Sequence, residues 1–157
     1  MILRTEYLKW LKQAKVQHLI EIISGVRRCG KSTLFEWFIN DLKESGVAVQ
    51  QIIVLNFEEA EYAKWNTWEL LYEYVEKRLQ AGKMNYVFFD EVQNVPDFQR
   101  ADDALYLKKN VELYLSESNS RLGIGEWATM FRGRYIELNM LLLSFRKYVS
   151  AYRSKRP

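Results

Sequence analysis

Apolar runs and amphipathic segments alternate along most of this chain. The runs 18–24, 51–57, 86–89 and 111–115 are rich in β-branched, leucine or aromatic residues. Runs of this length predict strands, and a run that is apolar on both faces, as 51–57 is, is typical of a buried parallel sheet. A further strand is predicted over 134–141. The pattern therefore predicts a sheet of five strands.

Helical periodicity fills the intervals between these runs. The segments with apolar residues at helical spacing are 5–15, 34–42, 70–79, 98–105, 127–131 and 144–152. Asn66 and Glu69 resemble a capping box before the third segment, and Pro96 with Asp97 begins the fourth. Strands that alternate with helices predict an α/β three-layer fold, in which right-handed crossovers place helices on both faces of a mostly parallel five-stranded sheet.

The loop between the first strand and the second helix carries the strongest chemical signal. Residues 25–33 match the phosphate-binding pattern G-x-x-x-x-G-K-[ST] at every fixed position. The predicted nucleotide-binding residues are Gly25, Val26, Arg27, Arg28, Cys29, Gly30, Lys31, Ser32 and Thr33. In such a loop the backbone N–H groups cradle the phosphates, the lysine reaches the β- and γ-phosphates, and the serine hydroxyl ligates Mg²⁺. The sequence therefore predicts a nucleoside triphosphate site at a helix N-terminus.

Two adjacent carboxylates, Asp90 and Glu91, end the third predicted strand. In a phosphate-loop protein an acid at this point holds Mg²⁺, so we assign Asp90, together with Ser32, to the metal. A following glutamate can orient and deprotonate the water that attacks the γ-phosphate, and we assign this role of base to Glu91. The alternative is an exposed acidic turn after a core strand, which the presence of the 25–33 loop disfavours.

Polar residues also follow two other predicted strands. Asn56 ends the second strand, and ligands in open α/β sheets bind at the carboxyl ends of strands. Asn119 follows the fourth strand and is a candidate for a hydrogen bond to the γ-phosphate or to the attacking water. Two alternatives stay open: the acidic segment that begins at Asn56 can be a solvated loop, and Asn119 can be an ordinary turn former at a strand end.

Composition narrows the classes of protein that fit this pattern. With 157 residues, 48% of them hydrophobic, the chain suits a single domain. The formal net charge of +3 is too mild to predict a nucleic-acid partner. We find no apolar run of about 18 residues and no signal-peptide pattern, so we expect a cytoplasmic protein that does not enter a membrane. A single cysteine, Cys29, excludes an internal disulfide.

Taken together, the motifs resemble the AAA-type ATPase domain of a large bacterial and archaeal family of ATP-binding proteins. The pieces that carry the resemblance are 25–33, 88–93, 118–119, 125–126, 133–135 and 143–145. The likeness covers nearly the whole chain and implies an AAA-like core domain over 1–157. Family members typically continue into a helical or winged-helix region and a C-terminal domain that resembles restriction-endonuclease folds, and we expect neither within these 157 residues.

The resemblance also implies roles for single residues. It implies that Lys31 and Ser32 meet the phosphates and Mg²⁺, that Asp90 and Glu91 are the acidic pair, and that Asn119 senses the γ-phosphate. It further implies that Arg134 is a candidate arginine finger, a residue that reaches the γ-phosphate in a neighbouring subunit. The alternative for Arg134 is an ion pair with Glu126 or Glu137 on its own surface.

The sequence departs from the family pattern at three places. Glu117 stands where a small residue, usually glycine, precedes Ser-Asn, Leu142 replaces a usual proline, and 121–125 is not the usual small-polar loop. A carboxylate near a triphosphate would repel it unless it points away or faces the metal. We therefore expect that glycine at position 117 would raise ATP affinity or turnover.

These inferences predict a protein that binds and hydrolyses ATP with Mg²⁺ and couples turnover to a conformational change in a partner or in further domains. The alternatives are a nucleotide-binding or interaction module that does not hydrolyse ATP and, on weaker grounds, a small-molecule kinase. A homo-oligomer and a protein partner fit the prediction, and nothing in the sequence identifies a nucleic acid.

Overall fold

The computed structural model describes residues 5–15, 18–58, 64–65, 67–118 and 126–142. The elements in chain order are α1 (Thr5–Ala14), β1 (Ile20–Ser24), α2 (Lys31–Glu44), β2 (Ile52–Asn56), α3 (Trp68–Glu76), β3 (Asn85–Asp90), α4 (Phe98–Tyr106), β4 (Val111–Glu117), α5 (Glu126–Phe131) and β5 (Tyr135–Asn139). Short 3₁₀ turns at Val49–Gln51 and Val92–Asn94 precede β2 and follow β3. Within these ranges, no helix is long and apolar enough to cross a membrane.

The five strands form one sheet in the order β2-β3-β4-β1-β5, and every neighbouring pair is parallel. This confirms the predicted α/β fold with a parallel sheet. Because all strands run the same way, their carboxyl ends lie at one edge, where ligands bind in such sheets. That edge is called the phosphate edge below, and the opposite one the amino edge.

Alternation along the strands builds one core on each face of the sheet. Phe88 and Phe89 are both fully buried although they are neighbours, because successive strand residues point to opposite faces. Phe88 packs against Phe35 and Phe38 of α2 in the core beneath α1 and α2. Phe89 packs against Phe57 in the core beneath α3, α4 and α5. Two faces covered by helices give the three layers that the pattern predicts.

The second strand departs from its prediction. We expected burial on both faces, but β2 lies at the edge of the sheet, and Val54 is 43% exposed between the buried Ile53 and Leu55. Ile53 and Leu55 belong to the core beneath α3, whereas Val54 faces the other way and lies outside the core beneath α1 and α2. The helices of that layer leave the edge strand partly uncovered, which composition alone does not reveal.

Several element boundaries also differ from the predictions. Helix α3 is capped by Thr67 rather than by Asn66, since Thr67 Oγ1 accepts a hydrogen bond from the Leu70 N–H. Strand β4 continues through Ser116 and Glu117, two residues beyond the predicted apolar run 111–115. The predicted helix at 144–152, the loop at 121–125, Asn66 and Asn119 lie outside the described residues.

Candidate phosphate-binding site

The loop after β1 requires glycine at both fixed positions. Gly25 has φ 155°, and a Cβ atom there would lie 2.6 Å from the carbonyl oxygen of Met140 and 2.8 Å from Cys29 Sγ. Gly30 has φ 103° and caps the N-terminus of α2 in the left-handed region. Side chains at either position would therefore clash or strain the backbone. The two glycines allow the tight curl that brings the loop over the first turn of α2.

The loop encloses one side of a polar cavity of about 450 Å³. Its lining residues are Arg27, Arg28, Gly30, Lys31, Ser32, Thr33, Glu58 and Glu91. Six of these belong to the predicted loop. The other three loop residues do not line the cavity: Gly25 lies against Met140, Cys29 is buried, and Val26 is exposed to solvent. The cavity opens on the N-terminus of α2, where free N–H groups and the helix dipole favour an anion. Cavity position, shape and charge therefore suit a phosphate chain.

Lys31 is buried, and its ammonium group is held by the loop itself. Its Nζ donates hydrogen bonds to the carbonyl oxygens of Gly25 at 2.9 Å and Val26 at 3.2 Å. It also lies 3.8 Å from Glu91 Oε1. A buried cation needs such partners, because an unpaired buried charge is costly. Cys29 Sγ lies 3.9 Å from the same Nζ. These contacts together position the ammonium at the mouth of the loop.

Ser32 and Asp90 bring a hydroxyl and a carboxylate together at the phosphate edge. Ser32 Oγ donates to Asp90 Oδ2 at 2.6 Å, and Ser116 Oγ donates to Asp90 Oδ1. The described residues contain no cluster of three or more His, Cys, Asp or Glu side chains that could hold a metal. Mg²⁺ suits the site nevertheless, because it binds through one or two protein oxygens and completes its shell with phosphates and water.

Glu91 has an unusual backbone and a densely bonded side chain. Its φ of 59° and ψ of 48° lie in the left-handed region, which costs a non-glycine residue about 1 to 3 kcal/mol. Its N–H donates to Ser116 Oγ at 2.9 Å. Its Oε2 accepts from Ser118 Oγ at 2.5 Å and Gln93 Nε2 at 2.6 Å. These bonds hold the strained residue with its carboxylate beside Lys31.

The sequence reasoning missed four residues of this site. Ser116, Ser118 and Gln93 hold the acidic pair, and Glu58 faces Arg27 across the cavity mouth at 3.4 Å. Hydroxyl residues at the end of the strand beside the Asp90 strand were the available signal for the two serines. Asn56, a candidate from the sequence, does not line the cavity. Its Oδ1 accepts a hydrogen bond from the Glu58 N–H and caps a turn.

Arg134 lies far from this cavity. It precedes β5, and its carbonyl oxygen accepts the N–H of Ile20 at the amino edge. The length of β1 separates it from the phosphate edge, roughly 15 Å at about 3.3 Å per residue. The ion partner of Arg134 is Asp103, at 3.6 Å, with Tyr106 beneath the guanidinium, and not the expected Glu126 or Glu137. Arg134 therefore does not reach the cavity of its own chain.

Glu117 is not among the residues that line the cavity. It pairs with Ser24 in the β4–β1 register, and alternation places its side chain on the face opposite to that of Ser116. Ser116 contacts the acidic pair, so the buried Glu117 carboxylate lies on the side of α4 and α5. Its carbonyl oxygen accepts the Gly25 N–H at 3.2 Å and so supports the loop. The expected repulsion between this carboxylate and a triphosphate loses its geometric basis.

Comparison with known proteins agrees with the fold described above. A family model described as an AAA domain matches residues 17–149. An uncharacterized protein of Haemophilus influenzae is 35% identical over 152 residues, which are 96% of this chain and 38% of that protein. The structure of C. elegans PCH-2 superposes with a TM-score of 0.63 at 15% identity, over 95% of this chain and 44% of the other. AMPPCP-bound DnaA from Aquifex aeolicus gives a TM-score of 0.60 at 15% identity, over 97% and 50% of the two chains. The chain thus spans half or less of each of these proteins.

Proposed function

The chain belongs to the family of AAA domains, and from that premise we propose that it binds ATP with Mg²⁺ and hydrolyses it, so that turnover changes the conformation of a partner or of further domains. One observation carries this proposal, the meeting of an ammonium, a hydroxyl and two carboxylates at the phosphate edge. Lys31 rests on the loop carbonyls, Ser32 on Asp90, and Glu91 lies beside Lys31.

Each of these side chains has one task in the proposal. Lys31 exchanges the loop carbonyls for β- and γ-phosphate oxygens, which keeps its buried charge compensated. Ser32 and Asp90 hold Mg²⁺, which neutralises charge on the phosphate oxygens when it is bound. Glu91 accepts a proton from water as the water oxygen bonds to the γ-phosphorus and the bond to the β,γ-bridging oxygen breaks, which gives ADP and phosphate.

Two further assignments complete the proposal. Arg134 acts in trans, at the γ-phosphate in a second copy of the chain, because its place at the amino edge separates it from its own cavity. Its pair with Asp103 is partly exposed and therefore weak enough to exchange for a phosphate. Asn119 follows β4 and stays a candidate γ-phosphate sensor on sequence grounds.

The decisive experiment measures ATP binding and phosphate release on the same samples. We expect Glu91→Gln to bind Mg²⁺-ATP with the parent affinity and to lose at least about 100-fold in turnover, the usual range for removal of a general base. Glu44→Gln, an exposed residue at the end of α2, is the matched control and should change neither quantity.

The other outcomes point to different functions. ATP binding without phosphate release by the parent would favour a nucleotide-binding module that does not hydrolyse ATP. Phosphate transfer that appears only when a hydroxyl acceptor is added would favour a small-molecule kinase. Parent turnover in Glu91→Gln would remove Glu91 from the role of base and contradict the proposed mechanism.

A further inference from the structure

The two oxygen atoms of the Glu91 carboxylate have different surroundings. Oε2 accepts two short hydrogen bonds, from Gln93 Nε2 at 2.6 Å and Ser118 Oγ at 2.5 Å. Oε1 lies toward the cavity, 3.8 Å from the Lys31 ammonium. Because Oε2 is occupied by two donors, Oε1 is the oxygen that can accept a proton from a molecule in the cavity.

The Gln93 amide can hold Glu91 in only one orientation. Its Nε2 faces the carboxylate, whereas a flipped amide would turn its own Oε1 against Oε2 and repel it. In the observed orientation, Gln93 Oε1 is buried and accepts no hydrogen bond from the described residues. Leaving a buried acceptor unsatisfied costs about 1 to 3 kcal/mol, so the contact with Glu91 outweighs a real penalty.

The backbone places Gln93 at this position. Glu91 is in the left-handed region, and the 3₁₀ turn Val92–Asn94 begins directly after it, with the Asn94 N–H bonded to the Glu91 carbonyl oxygen at 3.2 Å. This turn folds the chain back, so that the side chains of residues 91 and 93 meet although they are only two positions apart. The strain at Glu91 therefore has a structural use, because it brings a donor to its carboxylate.

We propose that Gln93 is a positioning residue for ATP hydrolysis: it anchors Glu91 through Oε2, which directs Oε1 toward the water that attacks the γ-phosphate. This inference rests on the proposed function, in which Glu91 is the base. In the step concerned, one water proton moves to Glu91 Oε1 while the water oxygen bonds to phosphorus and ADP departs. A general base works only within hydrogen-bond reach of that proton, so loss of its anchor lowers the rate and not the affinity.

Two substitutions of similar size test the anchor. Gln93→Met removes the donor, and we expect kcat to fall about 10- to 100-fold, as it does when an outer partner of a site residue is lost. The KM and the Kd for Mg²⁺-ATP should stay within about twofold. Gln93→Glu places a second carboxyl group against Oε2, so that the pair shares a proton, and the acid limb of the kcat–pH profile should move to higher pH.

The controls separate positioning from general damage. Gln50→Glu makes the same chemical change on an exposed residue before β2 and should leave kcat and its pH profile unchanged. Ser118→Ala removes the other donor to Oε2 and should lower kcat in the same way. Folded Gln93→Met and Gln93→Glu proteins with the kcat and pH profile of the parent would overturn the inference.

A second measurement does not depend on turnover. The side-chain amide resonances of Gln93 in a ¹⁵N–¹H spectrum, identified by their loss in Gln93→Met, should shift in Glu91→Ala and stay in place in Glu44→Ala. If the chemical shifts of the Gln93 amide do not change in Glu91→Ala, the Gln93 inference is overturned even when the enzyme is active. A parent that releases no phosphate but shows the shift would refute the proposed hydrolysis and leave the contact between Gln93 and Glu91 established.

Discussion

Two pairs of buried carboxyl groups in the described part of the chain differ in what compensates them. Asp90 and Glu91, at the phosphate edge, each accept hydrogen bonds from hydroxyl or amide side chains. Glu21 on β1 and Asp102 on α4 are buried at least as deeply, yet neither accepts a hydrogen bond from the described residues. We refer to these two groups as the phosphate-edge acids and the core acids.

The core acids avoid an uncompensated buried charge because a raised pKa keeps each carboxyl group protonated and neutral. Burial raises the pKa of Glu21 to about 9, repulsion by Glu112 adds to the effect, and Lys15 opposes it. Burial, with a contribution from the charge of Asp103, raises the pKa of Asp102 well above its usual range. A shifted pKa alone would therefore have marked the core acids as a site. The phosphate-edge acids are distinguished instead by the donors that converge on them and by the cavity that Glu91 lines.

The largest expected effect concerns a contact between the phosphate edge of one molecule and Arg134 at the amino edge of another. If Arg134 acts in trans, specific ATPase activity rises with protein concentration, and Arg134→Gln lowers the activity of the assembled protein by about 10³-fold. Arg132→Gln, an exposed neighbour, is the matched control. Flat specific activity over a wide concentration range, with Arg134→Gln unaffected, would show that the phosphate edge works without a second copy.

A smaller effect concerns the cation that faces the phosphate-edge acids. Lys31→Ala removes two charge-assisted contacts to phosphate, each worth about 1.5 to 3 kcal/mol, so ATP affinity should fall by at least about 100-fold. Lys43→Ala, exposed near the end of the same helix, should bind ATP normally. Calorimetric titration of both variants decides this, and equal affinities would remove Lys31 from the site.

The fold, and the meeting of the 25–33 loop with Asp90 and Glu91 at one edge of the sheet, could be predicted because both depend on local patterns. Residues 25–33 fix a loop through glycine geometry, and the run 86–91 predicts a buried strand that ends in acids whatever the remaining chain does. The contacts of Gln93 and Ser118 with Glu91 could not be predicted in this way. They depend on the left-handed backbone of Glu91 and on the pairing of β3 with β4, which brings together residues 25 and more positions apart.

The core acids and the edge strand were invisible to pattern reasoning for a related reason. Glu21 interrupts an apolar run, and only the packing of α1 against the sheet decides whether such a residue is buried. Val54 shows the opposite case, an apolar residue that is exposed, because it lies on an uncovered face of the edge strand. Strand order and helix coverage are tertiary properties, so burial at the ends and edges of elements is where the predictions fail.

The core acids can be tested through the pH dependence of stability. Because the pKa of Glu21 is raised from 4.5 to about 9, the folded state holds a proton that the unfolded chain has lost across this window. Stability contributed by the neutral carboxyl is complete below the lower value and is lost as pH rises to the upper one, with a slope of up to about 1.4 kcal/mol per pH unit.

Glu21→Gln should flatten this slope, since the amide does not titrate. Urea unfolding at several pH values between the two limits measures it, with Glu44→Gln as the exposed control. Some slope should remain, because burial also raises the pKa of Asp102 and of Glu112. An unchanged slope in Glu21→Gln would mean that Glu21 is not a core acid in the sense used here.

The smallest expected effect is at Glu117, and here the structure reverses what the sequence suggests. The family pattern predicts that Glu117→Gly raises ATP affinity by removing a repulsive charge. The β4–β1 register instead places this carboxylate on the α4 and α5 side of the sheet, opposite to the side on which Ser116 contacts Asp90. We therefore expect ATP affinity to change by less than about twofold in Glu117→Gly and in Glu117→Gln, at low and at physiological salt.

Titrations of ATP at both ionic strengths test this expectation, because repulsion between Glu117 and the triphosphate would weaken as the Debye length shortens to about 8 Å. A gain in affinity at low salt that disappears with added salt would place Glu117 with the phosphate-edge acids after all.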